Sequence, residues 1–148
     1  MRLFIAEKPN LAKAIASGLG NGRTESGCIR CGDDTVTWCF GHMLELAWPQ
    51  EYKPEYSQWR REHLPIIPSE WKYKIRKDAA KQLAVIGSLL READSVVNAG
   101  DPDREGQLLV DEVLEHFGYQ GPVARIWLPS LDDKSVRIAL NGIRDNAP

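Results

Sequence analysis

Ser95-Val96-Val97-Asn98-Ala99-Gly100-Asp101-Pro102-Asp103-Arg104-Glu105-Gly106-Gln107 is the stretch on which the reading of this chain turns. A short run of strand character ends at a glycine, and acids then follow at every second position. Pro102 disfavours the α conformation at Asp101 and holds it extended. Beyond the acids, Leu108, Leu109, Val113 and Phe117 recur at helical spacing, and are expected to face inward, until Gly118 stops the run. The acids therefore stand where a strand becomes a helix.

The chain opens in the same way. Leu3-Phe4-Ile5-Ala6 is a continuous apolar run of the kind found in a buried parallel strand. Glu7-Lys8-Pro9-Asn10 breaks it, and Leu11 to Ala16 reads as a helix ended by Gly18 and Gly20. A hairpin is expected over residues 27–40, turning at Gly32-Asp33-Asp34. Ala79, Leu83, Ile86, Leu90 and Ala93 mark one face of a helix over about residues 77–93. Val123 to Trp127 predicts another strand, and Ser130 and Asp133 suggest the cap of a last helix carrying Val136, Leu140 and Ile143.

Residues 41–76 break this alternation. Prolines 49, 54, 65 and 68 interrupt regular structure, while Trp48, Tyr52, Tyr56, Trp59, Trp71 and Tyr73 crowd the same stretch. Linkers are not this aromatic, so an irregular insertion with short helical or extended pieces is expected. The remainder predicts a single α/β domain over residues 1–148, with a mostly parallel sheet flanked by helices. Such sheets bind ligands at the carboxyl ends of their strands. Glu7-Lys8 and the Asp101–Glu105 cluster belong to that edge.

Composition narrows the function classes. With 148 residues, 43% hydrophobic and 27% charged, the chain is globular in character, not disordered. Its apolar runs are too short to span a bilayer and no signal-peptide core precedes Glu7, so a cytoplasmic location without membrane contact is expected. The net charge of −2 sets it apart from stand-alone non-specific DNA binders, whose affinity comes from phosphate neutralisation. Any DNA contact must be local, metal-assisted or shared with other protein. Cys28 and Cys31 have the spacing of half a zinc site, but no second pair follows, and His42 and His63 lack finger spacing. Alternation on a strand, with Cys39 buried nearby, is the expectation.

Carboxylates packed at Asp101, Asp103 and Glu105 repel one another unless a cation joins them. Hard oxygen donors suit Mg²⁺, which takes few carboxylates and leaves positions for water and phosphate. Glu7, arriving from a separate strand, completes such a pocket. Acids near a helix N-terminus also serve as caps and complement the macrodipole, and for any one of these residues alone that reading is preferred. Their position after a buried strand, opposite a second strand ending in Glu-Lys, favours the metal.

Phe4-Ile5-Ala6-Glu7-Lys8-Pro9 resembles the opening of topoisomerase III-like type IA DNA topoisomerases, and Ala99 to Gln107 resembles their acidic Toprim motif almost residue for residue. Trp38-Cys39-Phe40-Gly41-His42, the proline- and tyrosine-rich stretch after it, and Arg125 are similar to the same family. The resemblance spans nearly the whole chain. It implies a Rossmann-like Toprim domain in which Asp101 and Asp103 hold Mg²⁺ with Glu7, and Glu105 lies beside the ion. It also implies Glu7 as general acid or base at the leaving 3′ oxygen and Lys8 on the scissile phosphate.

The family's nucleophilic tyrosine belongs to another domain, and Tyr52, Tyr56, Tyr73 and Tyr119 match no such motif. The chain ends at Asn146-Ala147-Pro148, just past the last predicted helix, so an excised domain that does not cleave DNA alone is expected. Its partners would be single-stranded DNA and the remaining topoisomerase domains, with no nucleotide cofactor. Trp59, with Arg60 and Arg61 beside it, is a candidate for base stacking and backbone contact. Arg104 is a candidate for phosphate or a carboxylate. Roles for His42 and Arg125 stay open at this level. A free-standing Toprim nuclease that matures RNA keeps the fold with a water nucleophile. A phosphate-receiving signalling domain fits the acid spacing poorly, and a DNA-binding fragment whose acids only cap helices would not respond to Mg²⁺.

Overall fold

A computed structural model describes residues 1–20 and 22–146, so Ala147 and Pro148 of the closing segment lie outside the described residues. The chain runs β1 (Arg2–Ala6), α1 (Pro9–Gly18), β2 (Arg23–Glu25), β3 (Cys28–Cys31) and β4 (Asp34–Trp38). After β5 (Leu44–Leu46), α2 (Pro49–Tyr52) and β6 (Tyr73–Ile75) come α3 (Ala80–Glu92), β7 (Ser95–Ala99), α4 (Arg104–His116), β8 (Val123–Arg125), α5 (Asp133–Asn141) and β9 (Arg144–Asp145).

The main sheet has the order β2-β3-β4-β1-β7-β8-β9. β4, β1, β7 and β8 are parallel, while β2, β3 and β9 add antiparallel edges. β1 is central because it is buried on both faces. Leu3 and Ile5 pack with Leu83, Ile86 and Val113 of α3 and α4. Phe4 and Ala6 pack with Leu11, Ile15 and Val136 of α1 and α5. Successive side chains of a strand point to opposite faces, so one strand serves two cores.

The chain leaves β1 toward β4, then crosses back to place β7 on the other side of β1. That reversal is the topological switch point, where the connections leave a crevice outside the strand ends. Glu7 and Lys8 follow β1, and Asp101 follows β7, so the sequence motifs flank this crevice.

The hairpin and the alternation appear as expected, with small shifts. The third helix starts at Ala80 and the strand at 123 stops at Arg125. The last helix is capped by Asp132, not by Ser130 or Asp133. The Asp132 carboxylate accepts from Ser135 N–H at 3.0 Å and Ser135 Oγ at 2.6 Å, and these bonds hold its pKa at about 2. Within residues 41–76, β5 and β6 pair as a separate two-stranded ribbon. This ribbon closes the base of the insertion, and between its strands lie α2 and two 3-10 turns, Pro54–Ser57 and Arg61–His63. Cys28, Cys31 and Cys39 are buried and free, each pointing into the core. Among the described residues, no helix is long and apolar enough to cross a membrane.

Candidate metal and phosphate site

The loop from β7 to α4 is shaped by backbone contact before any side-chain chemistry begins. A Cβ on Gly100 would collide with the carbonyl of Gly106, and one on Gly106 would collide with the backbone of Asp101. Only hydrogen at both positions lets the loop fold this tightly onto the helix start. Asp103 is the N-cap of α4, its carboxylate accepting from Gly106 N–H at 2.7 Å. Glu105 lies in the first helical turn, its side chain largely in solvent.

Glu7 and Asp101 meet across the crevice. Glu7 Oε2 accepts from the Asp101 amide at 3.0 Å, joining the ends of β1 and β7. Lys8 Nζ donates to Asp101 Oδ2 at 2.6 Å. That hydrogen bond, aided by the charges of Asp101, Glu7 and Asp103, raises the Lys8 pKa above its ordinary value.

Arg125 organises the loop from beneath. Only 3% exposed, it donates to Asn98 Oδ1 at 2.7 Å, Gly100 O at 3.0 Å and Asp101 O at 2.7 Å. Burial pulls its pKa down, while Asp111, Asp103, Asp101 and Glu7 push it back up. A guanidinium whose donors are spent on carbonyls leaves its charge to act on the carboxylates above. Asn98, fully buried, completes the support: its Oδ1 also accepts from Gly100 N–H at 3.0 Å, and its Nδ2 donates to Asp111 Oδ1 at 3.2 Å. Of Arg125 and Asn98, only Arg125 was legible in the sequence, through its likeness to the family; Asn98, a polar residue within a strand, was missed. Gln107 closes the family-like motif, and Asp111, joined to it at 2.7 Å, carried no signal of its own.

Glu7, Lys8, Asp101 and Asp103 therefore share one neighbourhood. Among the described residues no three acids, histidines or cysteines form a finished ion cage. Asp101 is turned to Lys8, Asp103 to its cap amide, and Glu105 outward, where Oε1 lies 3.9 Å from His42 Nε2. The donors are hard oxygens of the type Mg²⁺ prefers. Arg104 is exposed and lines a groove of about 460 Å³ with Leu108, Asp111 and Trp127.

Trp59 and Arg60 belong to the insertion. Trp59, 84% exposed, borders a cleft of about 290 Å³ with Tyr56, Arg60, Arg61 and His63. Of the tyrosines, Tyr52 accepts from Lys72 N–H at 2.8 Å, Tyr56 packs edge-on to His63, and Tyr73 lies in β6. Tyr119 follows the far end of α4, about 20 Å along the helix from the acidic loop at 1.5 Å per residue.

A family model, the Toprim domain, matches residues 2–131. The chain belongs to the Toprim family. This Toprim domain is 49% identical to the DNA topoisomerase 3 of Pasteurella multocida, an alignment covering 99% of this chain and 23% of that protein. The DNA topoisomerase 3 of Haemophilus influenzae matches with the same identity and coverage. That of Staphylococcus epidermidis is 32% identical over 91% of this chain and 19% of its own length. The Toprim domain thus spans about 23% of the length of these first two relatives. The structure of full-length topoisomerase I from Thermotoga maritima shares the fold, with a TM-score of 0.61 at 19% identity, over 97% of this chain and 21% of that one.

Proposed function

We propose that this Toprim domain is the Mg²⁺-binding, phosphate-facing part of a type IA DNA topoisomerase of the topoisomerase III type, acting in the cytoplasm on single-stranded DNA. The observation that carries the reading is the meeting of Glu7, Lys8 and Asp101 at the switch point, in a chain similar along its length to DNA topoisomerase 3. Glu7, Asp101 and Asp103 hold the ion, with Glu105 beside it. When bound, Mg²⁺ supplies positive charge against the phosphate oxygens.

The protein's own groups do the rest. Lys8 offsets charge that develops on the scissile phosphate. Glu7 gives a proton to the leaving 3′ oxygen and takes it back on rejoining. Arg125 keeps the acidic loop in register. Trp59, Arg60 and Arg104 contact the strand, by stacking and by pairing with phosphate. The attacking tyrosine comes from the remaining domains of the parent enzyme, so the domain alone does not cleave.

Mixing the domain with the tyrosine-bearing remainder tests this reading. Relaxation of negatively supercoiled DNA should depend on Mg²⁺ and on both parts, and should vanish with Glu7→Ala. Metal-dependent nicking by the domain alone would instead favour a free-standing nuclease.

A further inference from the structure

The turn after β4 brings a residue to the acidic edge that the mechanism above does not use. Cys39 N–H donates to the Ala6 carbonyl at 2.8 Å and Gly41 N–H to the Glu7 carbonyl at 3.4 Å, so residues 39–41 run along the end of β1. Gly41 takes a φ of 71°, a left-handed turn that glycine allows without a Cβ penalty. Buried Met43 anchors the far side. His42 is thereby delivered over α4.

Two carboxylates flank its ring. His42 Nδ1 lies 3.0 Å from Glu112 Oε2, and Nε2 lies 3.9 Å from Glu105 Oε1. Positions 105 and 112 fall two turns apart on one face of α4, so helix geometry presents both acids to the same ring. An ionised carboxylate only accepts hydrogen bonds, so Glu112 selects the tautomer with its proton on Nδ1. Nε2 then offers a lone pair toward Glu105. A separation of 3.9 Å is too long for a direct hydrogen bond. It suits a donor, water or hydroxyl, bonded to both groups.

We infer that His42, held by Glu112, is a positioning residue of the acidic site, where its Nε2 and the Glu105 carboxylate share one bridging donor and so fix the direction of Glu105. The inference rests on reading the acids as a Mg²⁺ site. Groups that hydrogen-bond the carboxylates of a metal site orient them, and their loss commonly weakens metal binding by about 10-fold or more.

The test uses the 148-residue chain carrying ¹³C-labelled glutamate, with Mg²⁺ affinity measured by calorimetry alongside. His42→Ala and Glu112→Gln should each move the Glu105 carboxyl resonance, and His42→Ala should weaken Mg²⁺ binding about 10-fold. In a Glu105→Gln background the His42 change should cost less than about twofold, because both act through one carboxylate. An unmoved Glu105 resonance, or equal losses in both backgrounds, would overturn the inference. If Asp101→Asn and Asp103→Asn leave Mg²⁺ affinity untouched, the metal reading fails. The Glu105 resonance still decides the role of His42.

Discussion

Asp103 holds two jobs that substitution can separate. As N-cap it bonds the Gly106 amide, and as a carboxylate it is proposed to hold Mg²⁺. Asp103→Ala should cost about 1 kcal/mol of stability in urea unfolding, the usual value of a lost cap. Asp103→Asn keeps a competent cap, so its stability without Mg²⁺ should stay near that of the parent. Both variants should lose the rise in melting temperature that millimolar Mg²⁺ gives the parent. Lys8 sets a pH signature. Its pKa is raised above the ordinary 10.5 by Asp101, so the pair's stabilisation is complete below that value and fades as pH climbs through the higher folded value. Both side chains are partly exposed, which limits the effect to under about 1 kcal/mol. Lys8→Met should remove the alkaline fade and lower stability at neutral pH by the same amount, under about 1 kcal/mol. The acids and Lys8 were legible in the sequence because spacing and motif both mark them. Arg125 entered only through the family resemblance and Asn98 not at all, because most of their partners are backbone groups, which leave no trace in residue identity.

Strand and helix periodicity made most elements legible, since the core faces of α3 and β1 repeat at the spacings their geometry demands. Along α4, by contrast, the expected Leu108 and Phe117 are exposed, and Val110 and Leu114 are buried instead. The edge strands β2 and β9 and the β5–β6 ribbon were not. They are only two or three residues long, too short for a period to show, and pairing with a neighbour defines them more than local preference does. The same contrast predicts stability. Ile86 on α3 is fully buried, so Ile86→Ala should cost about 2–5 kcal/mol in urea unfolding. Ile67 in the insertion is largely exposed, so Ile67→Ala should fall within about 0.5 kcal/mol of the parent. Burial also governs the thiols. That of Cys39 is pushed up to about 12, mainly by desolvation, and those of Cys28 and Cys31 are raised for the same reason. Iodoacetamide at neutral pH should modify none of them until the protein unfolds, as mass spectrometry would report.

At the scale of the molecule, the strand order matters more than any single element. By reversing direction at β1, the chain puts two sequence-distant motifs on either side of one crevice. Parallel alternation predicted that edge from sequence alone. How each carboxylate is engaged within it depends on side-chain rotamers, which sequence patterns do not encode. With a net charge of −2 the whole molecule repels DNA at long range, so binding to an unpaired strand should be weak and salt-sensitive. Trp59→Ala should reduce it by about 1–3 kcal/mol if a base stacks there, as a fluorescence-anisotropy titration would show. The central claim concerns the crevice itself: that Glu7, Asp101 and Asp103 take up one divalent cation. Titrating the ¹⁵N-labelled domain with Mn²⁺ tests it most directly, because the ion broadens amide resonances near it. The account predicts broadening centred on residues 7–8 and 100–106, reversed by excess Mg²⁺. Broadening centred anywhere else, or none at those residues, would contradict it.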